Sequence, residues 1–375
     1  MHVRLEVLEV VDKRTMSDFF RLPHAVYRDC PHWVAPITSE VRRVLDDAKN
    51  PYFADGNIKM FACYQNGFCV ARVAVVINRS HWQKYGSRPA FFGFFEAFDS
   101  KDAVDALFAR AQEYAAQSGA ESIEGPLNPN HYSEIGFQAN EFDTAPAFFQ
   151  PCNPEYYLRL CESAGFRPIK WVHTRKNPGI HEFILAHHAE SLDSSSCGDY
   201  VVRSFDKKDF EAELERIREV FNDAFEHNWH FLPLSQEEYL FSAKFLNLVT
   251  YPNLITIVER NGEPVGVLEC IPDVNPLLRS LKGKVGPLKF LNYQMKRKRV
   301  RNLIVYAVGI KKRYQKTRVH KLLFDALCRI AVHYDSLETT WMSPDNQLSI
   351  RAAEHFGLEK DKEFVIYSKS LPASK

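Results

Sequence analysis

The chain has 375 residues, of which 45% are apolar, 13% aromatic and 25% charged, with a net charge of +1; this balance excludes a disordered chain, because enough apolar surface is present to offset chain entropy. No stretch reaches the roughly 18–20 apolar residues of a bilayer-crossing helix. The N-terminal MHVRLEVLEVVDKRT carries acids inside its apolar run and no small-residue cleavage site, which argues against a secretory signal and for a cytoplasmic protein.

At roughly 100–200 residues per domain, two domains are expected. The first half opens with a helix near Met16–Tyr27, then a hairpin, KMFACYQNGFCVARVAVVI, turned by Asn66-Gly67. A strand (AFFGFFEAF), a helix (AVDALFARAQEYAAQSG), a strand (ESIEGPL), a helix (PEYYLRLCESAGF) and a tail strand follow, with HEFILA reading as strand-like. Ser191–Gly198 (SLDSSSCG) is the best linker. It sets expected domains at 1–190 and 199–375.

The second half repeats the order. Strand Tyr200–Ser204 precedes an amphipathic helix from Lys208 to Phe225 and a second helix near Gln236–Asn247. A hairpin, LITIVERNGEPVGVLEC, turns at Asn261-Gly262. After a basic insertion come a strand (LIVYAVGI), a helix (VHKLLFDALCRIAVHY), a strand (LETTWMS), a helix (NQLSIRAAEHFG) and a strand (EFVIYSKSL). The pattern β-α-α-β-β-β-α-β-α-β written twice predicts an α/β fold with mixed sheets.

The eight cysteines, Cys30, Cys63, Cys69, Cys152, Cys161, Cys197, Cys270 and Cys328, include no CxxC pair and read as reduced thiols, mostly buried. His187-His188 lacks spaced ligand partners, so no metal site is expected. Charge is distributed unevenly: Val274 to Phe324 holds fifteen Lys and Arg and no Asp or Glu. Such a block is a footprint for an anion, with nucleic acid, phospholipid and a phosphorylated cofactor as candidates. Within it, segment 276–301 interleaves Leu277, Leu278, Leu281, Val285, Leu288, Phe290, Leu291 and Met295 with basic residues. Apolar side chains among basic ones favour an anionic membrane surface, where each Lys or Arg adds about 1 kcal/mol. Pro276, Gly283, Gly286 and Pro287 prevent one long helix. No helix-turn-helix, RRM or zinc pattern accompanies the charge, so no specific nucleic acid is expected.

The element order, and a helix ending in Phe356-Gly357-Leu358 before the last strand, resemble the GNAT (GCN5-related N-acetyltransferase) fold. In the first half Asn153, Tyr157 and Gly165-Phe166 stand in similar register. NPYF (50–53), GFFEAFD (93–99), GPLNPN (125–130), NPEYY (153–157), HNWHFLPL (227–234), PVGVLECIPDVN (264–275) and LIVYAVGIKKRY (303–314) resemble a bacterial tandem-GNAT group that includes the GNAT-type bacterial ceramide synthases.

That resemblance implies two tandem GNAT-like domains, each a mixed, mostly antiparallel sheet flanked by helices, with acyl-CoA as co-substrate and no permanent cofactor. Pantetheine would pair with the open edge of strand Leu303–Ile310 around Val308 and Ile310. Pyrophosphate would lie on the loop with Arg313, Gln315, Lys316 and Arg318, and Asn346 would complete the cofactor set. The family's two loop glycines are replaced here by Arg318 and His320, which removes the close backbone approach that glycine permits; basic side chains (Lys311, Lys312, Arg313, Lys316, Arg318) could hold phosphate instead. The corresponding first-half loop, FDSKDAVDALF, places Asp99, Ser100 and Asp102 where they read as a helix cap and an acidic first turn. The first domain is therefore expected to hold no CoA.

An attacking amine, mostly ammonium at neutral pH, needs a base. His227, His230, Glu269 and Asp273 are the candidates, and His131, Tyr132 and Glu134 form a weaker polar cluster in the first half. The family's thiolate-protonating Tyr position is Ala353, leaving Tyr306 as a candidate donor. The leading expectation is an acyl-CoA-dependent N-acyltransferase acting on a primary amine. The resemblance points to a sphingoid base, acylated peripherally at the inner face of the inner membrane. The rivals are an aminoacyl-tRNA-dependent peptidyltransferase of the Fem type and a non-catalytic binding protein with degenerate domains.

Overall fold

The computed structural model describes residues 4–192 and 198–372; Cys197 and the centre of the expected linker lie outside the described residues. The chain forms two compact units, and neither is a continuous segment. The first comprises residues 1–172, 278–285 and 362–375; the second comprises 173–277 and 286–361.

In chain order the first half supplies β1 (Leu5–Glu9), α1 (Lys13–Val26), α2 (Thr38–Val44), β2 (Gly56–Gln65), β3 (Phe68–Asn78), α3 (Arg79–Tyr85), β4 (Pro89–Ala97), α4 (Lys101–Gln117), β5 (Ser122–Gly125), β6 (Leu127–Asn128), β7 (Glu134–Ile135), β8 (Phe137–Gln138), α5 (Tyr156–Ser163) and β9 (Arg167–Asn177). Then come α6 (Ile180–His187), α7 (Ala189–Leu192), β10 (Tyr200–Ser204), α8 (Phe210–Ala224), α9 (Gln236–Val249), β11 (Ile255–Arg260), β12 (Glu263–Pro272), α10 (Asn275–Leu278), α11 (Pro287–Lys296), β13 (Asn302–Ile310), α12 (Val319–Ala331), β14 (Ser336–Thr339), α13 (Gln347–His355) and β15 (Glu359–Ser370).

Both expected hairpins form. Asn66 and Gly67, and Asn261 and Gly262, all have positive φ, the requirement of a two-residue turn matched to strand twist. Residues 181–186, read as strand-like, are helical and belong to α6, where Ile180 and Ile184 are buried one turn apart. A short apolar run has no period long enough to separate the two readings. Ser191, expected to begin the linker, is fully buried at the end of α7.

The sheet of the first unit runs β1-β2-β3-β4-β5-β15, antiparallel except where β4 meets β5. Its last strand comes from the end of the sequence: Tyr367–Ser370 pair with Gly125–Ser122, and Phe364–Val365 with Gln138–Phe137. Val365 and Tyr367 join an aromatic core of Phe61, Phe92, Phe95, Phe108, Phe137, Tyr157 and Phe166 against α4 and α5. The sheet of the second unit runs β9-β14-β13-β12-β11-β10, with Asn177 and Lys176 of β9 paired to Leu337 and Glu338. One face carries α12 and α6 over Val258, Val265, Leu268 and Leu303. The other carries α8 and α9 over Ile255, Ile257 and Val267. The insertion breaks where its prolines and glycines stand, into α10, a short turn and α11.

Because β15 completes the first unit, Phe364→Ala should act there. Phe364 is fully buried, and losing a buried Phe costs about 3–5 kcal/mol. Hydrogen exchange should show β3 and β4 losing protection while β11 and β12 keep theirs. Loss confined to residues 255–310 would contradict this assignment of the strand.

Candidate functional site

The parallel ladder between β13 and β14 is short. It runs from Asn302 paired with Ser336 to Val305 paired with Thr339. Thr340 closes it, its N–H donating to the Val305 carbonyl at 3.2 Å and its hydroxyl to the Tyr306 carbonyl at 2.9 Å. Beyond that point the rest of β13 pairs only with β12, up to Ile310 opposite Gly266. Val308 is 43% exposed, whereas Ile310 is buried against α12.

A β-bulge lies at the same place. Glu269 pairs with Ala307 and Cys270 with Val305, so Tyr306 is the extra residue on β13. A bulge re-aims a side chain, and Tyr306 lines one cavity with Glu269. The cavity, about 40 Å³, is walled by Phe205, Phe210 and Leu214 on one side, by Tyr239, Ala243 and Leu246 of α9 on another, and by Ile255 and Ile271 of the sheet. That is room for about three waters.

Glu269 is the polar centre of this apolar slot. It is 6% exposed. Tyr239 donates its hydroxyl to Oε1 at 3.2 Å, and Oε2 is buried with no hydrogen-bond partner among the described residues. Burial pushes the carboxyl up to about 7, against the Tyr239 hydrogen bond, which favours the ionised form. Burial and the Glu269 charge push Tyr306 and Tyr239 well above the ordinary phenol value, so both stay protonated. A half-ionised carboxyl with one open oxygen can take a proton from a group entering the slot.

The other base candidates stand elsewhere. Asp273 follows the end of β12 and caps its turn, accepting from the Asn275 N–H at 3.1 Å. It lies four residues along the chain from Glu269, about 13 Å at strand rise. His230, in the loop between α8 and α9, does not line the cavity; burial holds its imidazole down to about 4 and therefore neutral. His227 is exposed in the same loop. Tyr239 was not legible as a partner of Glu269. It sits on an apolar helix face, and only the fold brings it across thirty residues of sequence.

The basic loop is partly neutralised. Lys311 is buried and paired with Glu219, and with Glu263 at 2.8 Å. Lys312 pairs with Glu226, Arg313 with Glu263, and the Lys312 N–H donates to Asp223 at 2.6 Å. Three of the five basic residues considered for phosphate are thus held by carboxylates. Lys316 and Arg318 are exposed before α12, and Gln315 donates to the Ile310 carbonyl at 3.4 Å. Arg318 has ordinary helical φ and ψ, so the turn itself does not require glycine. Asn346 caps α13, accepting from the Ser349 N–H at 3.2 Å.

In the first unit the matching edge is filled. Pairing of β4 with β5 stops at Phe91. Thereafter the Phe94 N–H donates to Asn128 Oδ1 at 2.7 Å, and the Ala97 N–H to the Tyr157 hydroxyl at 2.8 Å. A Cβ at Gly93 would stand 1.8 Å from the Leu127 carbonyl oxygen, so glycine is required there. Tyr157 donates in turn to Glu96 at 2.8 Å, and Asn128 to Glu134 at 3.2 Å. His131 packs edge-on against Phe91, and Tyr132 receives its chain bend from Asn130. The expected Ser100 cap makes no side-chain hydrogen bond; Asp99 instead pairs with Arg159 at 2.7 Å.

Among the described residues no three His, Cys, Asp or Glu gather as a metal site, no helix is long and apolar enough to cross a membrane, and the seven described cysteines are free.

No family model matches the sequence. The chain is 26% identical to Protein YghO of Escherichia coli (strain K12) over 375 residues, covering 96% of this chain and 94% of that one. It is 26% identical over 379 residues to a protein named bacterial ceramide synthase from Caulobacter vibrioides, covering 98% of each. Among solved structures, a tandem GNAT protein from the clavulanic acid biosynthesis pathway superposes over the whole of both chains with a TM-score of 0.56 at 11% identity. A GCN5-related N-acetyltransferase from Sphaerobacter thermophilus superposes over 99% of this chain and 97% of that one with a TM-score of 0.52 at 13% identity. The fold is a tandem GNAT fold.

The raised Glu269 carboxyl gives a pH signature. Such a group stabilises the fold fully below its unfolded pKa, and that contribution is lost as pH rises through about 7. Glu269→Gln removes the dependence, at most about 3 kcal/mol. Between pH 5 and pH 8 the urea midpoint should fall less in the variant than in the parent. Equal falls would mean that Glu269 does not titrate in this range.

Proposed function

We propose that the second unit is an acyl-CoA-dependent N-acyltransferase and that the amine it acylates is long-chained, of the sphingoid type. The observation that carries this reading is the buried, half-satisfied Glu269 in an apolar slot beside the open edge of β13. An incoming ammonium would be the missing partner of Oε2. Glu269 would take its proton, and the free amine would attack the thioester carbonyl. Backbone N–H on the open edge near Val308 would hold the oxyanion. The carbon–sulfur bond then breaks as Tyr306, protonated on the slot wall, gives its proton to the leaving thiolate and recovers one from the amine nitrogen, which leaves a neutral amide and a free thiol.

The slot supports a substrate whose reacting end is small and whose remainder is apolar. At about 40 Å³ it holds the amine and its first carbons; a longer chain runs out past Leu246 and Asn247. The likeness to the Caulobacter protein named bacterial ceramide synthase supports a sphingoid base. Lys316 and Arg318, with the N-terminal turn of α12, would hold the CoA phosphates as charges. The first unit would hold no acyl-CoA, its edge donors being taken by Asn128 and Tyr157; its role is then structural. The reaction would take place at the cytoplasmic face of the inner membrane.

The test is mass-spectrometric turnover with acetyl-, palmitoyl- and free CoA, with and without sphinganine in anionic vesicles. N-acylsphinganine should form from the long-chain thioester. Glu269→Gln should lower kcat by about 10²–10⁴-fold with little change in the KM for acyl-CoA. Full activity in that variant removes Glu269 as the base. No binding of any CoA species sinks the proposal, and transfer from charged tRNA instead would establish the Fem-type reading.

A further inference from the structure

The insertion contains one helix that faces outward without a partner. On α11, Leu288, Leu291 and Met295 are 83%, 57% and 62% exposed. Their spacing of three and four residues makes a single stripe along the helix. At about 100° per residue, Tyr293 falls on the opposite side, and it is buried. The helix is therefore seated by one face and apolar on the other. Scattered exposed leucines are ordinary; an aligned stripe with no cover is an interaction surface.

The seat is specific. The Tyr293 hydroxyl donates to the Leu248 carbonyl at 3.3 Å, and the Arg297 guanidinium to the same oxygen at 2.8 Å. Arg297 also stands over the Tyr251 ring, 4.8 Å from its centroid. Leu248 belongs to the last turn of α9 and is itself 46% exposed. Asn247, Thr250 and Tyr251 line the Glu269 cavity. One fastening thus joins the outward helix to the cavity wall.

The charge selects the occupant. Lys296, Lys298 and Arg299 are exposed at the end of the stripe and just beyond it, and no acid occurs from Val274 to Phe324. An anionic bilayer satisfies both features, since the stripe enters the acyl boundary while the basic residues meet the headgroups. A nucleic acid would satisfy the charge and leave the stripe in water.

We propose that α11 docks the protein on an anionic lipid bilayer, with Leu288, Leu291 and Met295 inserted and Lys296, Lys298 and Arg299 on the headgroups, so that an amphiphilic amine passes from the membrane along the end of α9 to Glu269. The route to Glu269 rests on the acyltransferase reading; the docking does not. The test is flotation of the full chain with phosphatidylglycerol–phosphatidylcholine vesicles and with phosphatidylcholine vesicles alone. The protein should float with the anionic vesicles and be released by salt. A variant combining Leu288→Asp, Leu291→Asp and Met295→Asp, and another combining Lys296→Glu, Lys298→Glu and Arg299→Glu, should each bind at least tenfold more weakly, with melting unchanged because these side chains are exposed. Both should acylate a short-chain, water-soluble amine as well as the parent does. Failure of the parent to float, equal flotation of the Asp variant, or retention of single-stranded RNA without lipid binding overturns the docking. A parent that floats but acylates no amine leaves the docking standing and removes the route to Glu269.

Discussion

Two parallel strands, β13 and β14, share backbone hydrogen bonds only as far as Val305 and Thr339. Past that point β13 keeps one neighbour and offers its other edge. Backbone donors inside a fold are almost always satisfied, so an open edge must be met by something. In the first unit the sequence meets it internally, with the Asn128 amide oxygen on one donor and the Tyr157 hydroxyl on another. In the second unit no side chain takes that place among the described hydrogen bonds, and the neighbouring slot holds a carboxyl with one unanswered oxygen. The same architecture thus appears twice, with the edge met by side chains in the first unit and unpaired beyond Val305 in the second among the described strand pairings.

Electrostatics in the second unit divides by depth. Nearer the surface, Lys312 and Arg313 before α12 are matched by Glu226 and Glu263, and exposed pairs of this kind contribute little stability. Inside, Glu269 has one hydrogen bond, from Tyr239, and no cation beside it among the described residues. Its ionised form is costly until a positive group arrives. The second unit thus carries a local electrostatic cost at Glu269 that a cation entering the slot would relieve.

Much of this was legible in sequence. Both Asn-Gly turns, the repeated element order and the breaks in the insertion follow from local chemistry that tertiary packing did not override. Glu269 could be named because it stands on the hairpin strand next to the one expected to open, and β12 does pair with β13. What was not legible depends on contacts distant in the chain. HEFILA carries no period that separates strand from helix, and its burial against the α12 face decides the matter. Lys311, Lys312 and Arg313 look available until α8 and the hairpin bring carboxylates to them. Asp273 reads in sequence either as a base or as a cap for the Asn275-Pro276 turn, and the fold shows its carboxylate accepting from the Asn275 N–H. Tyr239 is one aromatic among several on α9 until Glu269 meets it.

The placement of β15 has a consequence for synthesis. The first unit needs residues 362 onward to finish its sheet, yet the ribosome makes residues 173–361 in between. Until then Phe137, Tyr157 and Phe166 lack the strand that covers them, and the edge of β5 has no neighbour on that side. The N-terminal half must therefore wait, exposed, for the C-terminal half, the reverse of the usual order in which domains mature as they emerge. A cut at residues 191–198 would yield two fragments, each missing a strand it needs, so that the gene's apparent repeat is not a pair of separable modules.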